Sequence, residues 1–207
     1  MNSSRGSRNS ILIVGDSLPS NLKTQYNITQ VLDPIHPVYN SIIIPIKFYI
    51  NNYLLQKNYQ LPIEKKGMDF FFYINAISDA EEKNNSDLTE LIKEINPLYC
   101  PYKLILSMGS FAFYSVEKVF ERNVKKKLSI NELGEYFFNR INLKNKIKFP
   151  INIPILHNIV NLKFEKATNF IYQNSDKYIS YHHYVGEKIA EFIVNSINDF
   201  NFIKEKK

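Results

Sequence analysis

The feature that most constrains this chain is an alternation repeated along its length. Short apolar runs stop at a glycine, a proline or a polar turn, and most are followed by a segment of helical period. Ile11-Leu-Ile-Val14 stops at Gly15, Ile42-Ile-Ile44 at Pro45, and Lys103-Leu-Ile-Leu-Ser-Met108 at Gly109. Phe70-Phe-Phe-Tyr-Ile74 and Ile151-Asn-Ile-Pro-Ile-Leu156 are of the same kind. Runs this short and this continuously apolar read as strands buried on both faces, with no polar face to give alternation. Between them the spacing predicts helices from about Pro45 to Gln56, Leu88 to Ile95, Phe111 to Glu121, Ile130 to Arg140, Phe164 to Tyr172 and Gly186 to Phe200. In the first, Ile46, Tyr49, Ile50, Tyr53 and Leu54 share one face, and Pro45 is tolerated in its first turn. Strand and helix in strict turn argue for an α/β fold, a three-layer sandwich with a mainly parallel sheet.

A chain of 207 residues is the size of one domain and is long enough to bury a real core. The expected division is a flexible N-terminal arm over 1–10, one α/β domain over 11–200 and a basic tail over 201–207. Hydrophobic residues make up 44% and charged residues 22%, which excludes a disordered or fibrous chain. No stretch reaches the roughly 20 apolar residues of a membrane span, and the polar start has no signal-peptide core. With Cys100 as the single cysteine, a disulfide framework and multi-cysteine metal sites are excluded, and a reducing, cytoplasmic setting is expected. Cys100 itself reads as structural.

The formal net charge is +6, from 26 Lys and Arg against 20 Asp and Glu. The densest cations are Lys125-Lys126-Lys127, then Lys144, Lys146 and Lys148, then Lys204, Lys206 and Lys207. Their scatter along the chain reads most plainly as a solvated surface, since net charge bears on association in general more than on one activity.

In a parallel sheet, ligands bind beyond the carboxyl ends of the strands, so the loops at Gly15, Asn75, Gly109, His157 and His182 are where chemistry is expected. No GxxxxGK[ST] or GxGxxG phosphate loop is present, no HExxH motif occurs among the four histidines, and neither a cofactor nor a metal is expected. The most informative segment is Ile11-Leu-Ile-Val-Gly-Asp-Ser-Leu18. A serine two residues past a strand-ending glycine sits in a tight turn, with its Oγ exposed and its backbone N–H able to face an oxyanion. Such a serine needs a histidine to take its proton, and His182 and His183, expected on a loop just before the last helix, supply one.

These residues resemble a known family. Ile-Leu-Ile-Val-Gly-Asp-Ser-Leu is similar to the first block of the SGNH, or GDSL, hydrolases, and Leu104-Ile-Leu-Ser-Met-Gly-Ser-Phe111 resembles their later strand-glycine block. The His183 to Ile193 segment resembles their histidine block and final helix. Within the superfamily the GSCFA branch is most similar: Gly15-Asp-Ser-Leu-Pro-Ser-Asn21 parallels its GSCFAEN, with Ser17 in place of cysteine. The spacing of Asp33-Pro34 and Tyr39-Asn40 also parallels its NPxxxxYNP segment. The resemblance implies a serine esterase or acyltransferase acting on a small acyl ester, such as an O-acetyl group of a glycan. It implies Ser17 as nucleophile, His183 or His182 as base, and Asn40 with the Gly109-Ser110 turn around the oxyanion; His157, at a strand end, reads apart from the resemblance as either a substrate contact or a structural residue. The acid usual three residues before the histidine is absent, which also leaves room for a catalytically inactive binding protein.

A second resemblance belongs to another chemical class. Phe72-Tyr-Ile-Asn-Ala-Ile77, Lys103-Leu-Ile-Leu-Ser-Met-Gly-Ser-Phe-Ala112 and Ser180-Tyr-His182 are similar to the TNAV, LGxxA and late histidine motifs of the uracil-DNA glycosylase superfamily. That likeness implies a DNA repair enzyme in which Asn75 reads a flipped base, His182 stabilises the leaving base, and nucleic acid is the partner. Gly15-Asp-Ser-Leu-Pro departs from that superfamily's first motif.

Overall fold

The computed structural model describes residues 11–16, 39–60, 71–76, 88–96, 98, 100–143, 150–156, 181–196 and 204–205. Four of its strands form one parallel sheet. These are β1 (Ile11–Gly15), β3 (Phe71–Asn75), β4 (Leu104–Met108) and β5 (Ile151–Ile155), in the order β3-β1-β4-β5. Ile13 stands opposite Tyr73 on one side and Leu106 on the other, and Leu106 stands opposite Ile153. All five residues of β1, β4 and β5 are buried, as their continuous apolar runs require. A two-stranded antiparallel ribbon joins β2 (Tyr59–Gln60) to β6 (Lys204–Glu205), so two residues of the basic tail pair with the body.

Five helices lie among the described residues: α1 (Ile44–Gln56), α2 (Thr89–Ile95), α3 (Gly109–Val119), α4 (Ile130–Ile141) and α5 (Tyr181–Asn195). Odd-numbered residues of β1 and β5 and even-numbered residues of β4 pack with α1, α4 and α5, through Ile46, Ile50, Phe137, Val185 and Ile189. The opposite face, through Leu12, Val14 and Ile105, packs with Leu91 and Ile95 of α2 and with Ala112 and Val116 of α3. Helices therefore cover both faces of the sheet, which is the expected α/β layering.

Two expectations are corrected. Ile42-Ile-Ile44, read as a short strand for its β-branched run, is helical: Tyr39–Ile43 is a π-type turn that runs directly into α1. Burial of Ile42 and Ile43 among the α1 and α5 side chains outweighs their strand propensity. The last helix, placed from about Gly186, already includes Tyr181 to Val185. His182 and His183 therefore sit on the helix and not on a loop before it. The stretch from Phe164 to Tyr172, read as helical, lies outside the described residues.

Every strand of the sheet delivers its last residue to one edge. Gly109, at φ 89°, takes a left-handed conformation that suits glycine and turns β4 directly into α3. From the end of α3 the chain returns along residues 120–128 to that same edge. There α4 starts behind a capping box, in which the Ser129 hydroxyl accepts from the Glu132 N–H at 3.2 Å and the Glu132 carboxylate accepts from the Ser129 N–H at 2.8 Å. The start of α5 is tied to this edge by the N–H of Leu156, just past β5, which donates to the Tyr181 hydroxyl at 2.7 Å.

Candidate functional site at the carboxyl edge of the sheet

The floor of the site is Gly15. A methyl group there would overlap the Tyr73 hydroxyl and lie 2.9 Å from the Asn75 Oδ1. The missing side chain thus lets Tyr73 and Asn75, both from β3, lean across the end of β1. Tyr73 reaches over to β4, its hydroxyl 3.9 Å from the Met108 sulfur. Full burial, reinforced by the negative charge of Asp16, raises the Tyr73 pKa far above the ordinary phenol value, so it stays neutral. The half-buried Asn75 carboxamide enters no hydrogen bond among the described residues.

Asp16, the residue after β1, points the other way: its carboxylate accepts from the Ala112 N–H in the first turns of α3 at 2.9 Å. It therefore stabilises the positive end of that helix. Ser110 is also committed. Its Oγ accepts from the Leu128 N–H at 2.6 Å and donates to the Lys126 carbonyl at 3.5 Å, pinning the chain before α4 to the start of α3. The expected Gly109-Ser110 turn is present, but its hydroxyl is engaged with the chain itself.

The two histidines differ sharply. The His183 ring stacks on Tyr49 of α1, with centroids 4.5 Å apart, and its Nε2 lies 3.3 Å from the Glu187 carboxylate one turn further along α5. His182 is half-buried, its Nε2 is shielded from solvent, and among the described residues that nitrogen has no hydrogen-bond partner. Burial lowers the His182 pKa below the ordinary histidine value, so the ring is neutral at physiological pH. Native structures seldom leave a buried polar atom unsatisfied, and such an atom marks strain, a functional contact or an ordered water.

Asn40 is exposed in the turn leading into α1, and it takes part in an interaction of its own. Ser17 and His157 lie outside the described residues, as do His36 and Asp176. Asn75, Gly109 and Ser110 thus lie at the carboxyl edge of the sheet, Asn75 on the outer strand β3, and His182 lies in the first turn of α5, which is tied to that edge beside β5 at the other end, while His183 faces the seam between α1 and α5. Cys100 is no nucleophile: burial pushes its thiol up to about 11, and its Sγ lies 3.5 Å from the Tyr102 carbonyl. Among the described residues no three His, Cys, Asp or Glu side chains converge as a metal site.

Three features escaped the sequence reading. Glu187 stands four residues after His183, a helical spacing that identifies it as the histidine's partner once the helix is known to include both. The Lys125–Lys127 segment comes to the carboxyl edge only because Ser110 holds it there, and nothing local signals that. On the far face of β5, the wholly buried Glu117 is bracketed by Arg140 at 2.8 Å and Arg122 at 3.4 Å, and it accepts from Asn152 Nδ2 at 3.0 Å. Asn152 also accepts from the Ser107 hydroxyl at 2.5 Å. This network locks α3 and α4 to β5 and stands apart from the site. A glutamate on the apolar stripe of α3 was its signal.

No family model matches the chain, and no curated protein matches it. Among the described residues, no helix is long and apolar enough to cross a membrane. What the fold and site define is a parallel α/β protein with a carboxamide that enters no hydrogen bond among the described residues and a neutral imidazole at the carboxyl edge of its sheet.

Proposed function

We propose that the chain is a base-excising DNA enzyme of the uracil-DNA glycosylase kind. The observation that carries this reading is the contrast at the carboxyl edge. Among the described residues, Asn75 and the shielded Nε2 of the neutral His182 keep unmet hydrogen-bonding capacity, whereas the Ser110 hydroxyl at the same edge is engaged within the protein. A carboxamide offers a donor and an acceptor side by side, the pattern that reads the edge of a flipped base. In the reaction, the bond from C1′ to the base nitrogen breaks, and its electron pair leaves with the base. Water supplies hydroxide to C1′ and its proton to the base. A neutral imidazole with its proton on Nε2 stabilises the departing anion by hydrogen bonding and carries no charge to be desolvated. Shielding from water strengthens that interaction.

The test is release of uracil from a uracil-containing oligonucleotide. The wild type is expected to release it, Asn75→Ala to lose at least tenfold in rate, and Ser17→Ala to behave as wild type. Absence of base release by the wild type across common base lesions rejects the reading.

One observation favours a second reading, the SGNH-like serine esterase or acyltransferase. Glu187 beside His183 supplies the acid that the sequence lacks at the usual position, and a carboxylate so placed fixes an imidazole tautomer. Ser17 would lose its proton to His183 and attack a small acyl ester, plausibly an O-acetyl group of a glycan, and water or an acceptor hydroxyl would then release the acyl group. Ester turnover abolished by Ser17→Ala, with no base release, selects this reading over the first.

A further inference from the structure

The three lysines of residues 125–127 look like ordinary surface charge in the sequence, yet the fold carries them to the edge that holds Asn75 and His182. The carrier is Ser110. Through the Leu128 N–H and the Lys126 carbonyl it staples this segment to the first turn of α3, immediately beyond β4. All three lysines are exposed. Lys125 pairs with Glu132 at 2.9 Å, while Lys126 and Lys127 form no ion pair among the described residues. Two uncommitted ammonium groups on a pinned backbone, beside the ligand edge, match a partner that presents regularly spaced phosphates.

We propose that Lys126 and Lys127 form a phosphate-contact strip that holds the DNA backbone alongside the site, with Ser110 fixing the strip in register with the start of α3. The proposal rests on the DNA reading above and adds the surface by which the strand is held. Phosphate contacts of this kind position a strand without reading its sequence. They release condensed counterions, so each contributes about 0.7 to 0.9 to the slope of log K against log salt concentration.

The test uses the full chain and an undamaged, fluorescently labelled duplex, with binding followed by anisotropy over a salt titration. On duplex DNA, where each contact contributes about 0.9, the double variant Lys126→Gln with Lys127→Gln is expected to reduce the magnitude of the salt slope by about 1.8. A charge-matched control, Lys57→Gln with Lys118→Gln, removes two exposed lysines near the ends of α1 and α3, at the opposite edge of the sheet. It is expected to leave the slope unchanged. Equal slopes for wild type and the Lys126/Lys127 variant, or an equal drop in the control, overturn the strip and leave the base-excision reading standing on its own assay. A wild type that shows no salt-dependent DNA binding overturns both.

Discussion

The phenol of Tyr73 lies across Gly15, passing from one edge of the sheet over β1 to reach the sulfur of Met108 on β4. This crossing explains why the first strand must end in glycine, and it sets Asn75 over the same residue. Gly15→Ala should force both side chains off β1. Tyr73 is buried, so the overlap has little solvent to escape into, and overpacking of this kind costs about 1 to 3 kcal/mol. Urea unfolding should show that loss. Tyr73→Phe in the same background should recover part of it by removing the overlapping oxygen, and a variant as stable as wild type would mean the crossing is not as described.

His182 makes a prediction of opposite sign for stability and activity. Replacing it with leucine removes a shielded nitrogen that has no partner among the described residues, so the variant should be at least as stable as wild type near neutral pH, by up to about 1 kcal/mol. The gain should widen in acid. The folded-state pKa lies below the unfolded value, so the unfolded chain takes up the proton first, and wild-type stability falls as pH drops through and below about 6.5. The leucine variant lacks that slope. Base release should nevertheless be lost, and Tm measured against pH together with the release assay checks both halves. A less stable variant that keeps its activity would assign His182 to the core.

The parallel sheet was legible because each strand is a continuous apolar run closed by a breaker, a pattern that burial on both faces imposes directly. Ile42-Ile-Ile44 misled for the same reason: three β-branched residues also suit a helix when the face they form is buried, and propensity cannot tell which neighbour will cover them. The start of α5 was placed late because Gly186 reads as punctuation in a sequence. In the structure it is a point of close approach between two helices. Asn75 and Gly109 were found at the carboxyl edge from strand ends alone, and Ser110 through the family resemblance. The bond from Ser110 to Leu128 and the neighbourhood of Lys126 were not, since they join segments whose proximity depends on the whole excursion of α3 and the chain that returns from it.

That same bond can be cut. Ser110→Ala leaves the part-buried N–H of Leu128 without its partner, a loss of about 1 to 3 kcal/mol. The local effect is more telling than the global one: amide exchange at Leu128 and its neighbours should speed up while the strands of the sheet stay protected. If exchange there is unchanged, Ser110 does not hold the segment.

Glu117 should be the least replaceable charged residue of the described core. It is wholly buried, and its two arginines are about a quarter exposed. Removing the carboxylate strands both cations and the Asn152 amide at the interface of α3, α4 and β5. Breaking a buried pair by deleting one member costs about 3 to 5 kcal/mol, and partial exposure of the arginines points to the lower end. Glu117→Ala should therefore shift the urea midpoint strongly. Glu117→Gln, which keeps an acceptor for Asn152, should cost less. Equal losses for the two would mean that charge, and not the hydrogen bond, dominates.

Gly186 sets two effects of known size against each other. In the middle of a helix, glycine is about 1 kcal/mol worse than alanine, so Gly186→Ala on propensity alone should stabilise α5. Against this, a Cβ at Gly186 would lie 2.6 Å from the Tyr49 Cβ and 3.0 Å from the Ile46 carbonyl oxygen. Both obstacles belong to, or sit directly on, the α1 backbone, so no side-chain rotation relieves them and the helices must separate. Overpacking costs of about 1 to 3 kcal/mol then outweigh the propensity gain, and the net effect should be a lower Tm. Separation should also loosen the stack of Tyr49 on His183, which lies on the same seam, and the imidazole proton resonances of His183 should shift toward solvent-exposed values. A stabilised variant with those resonances unmoved would show that α1 and α5 do not approach this closely.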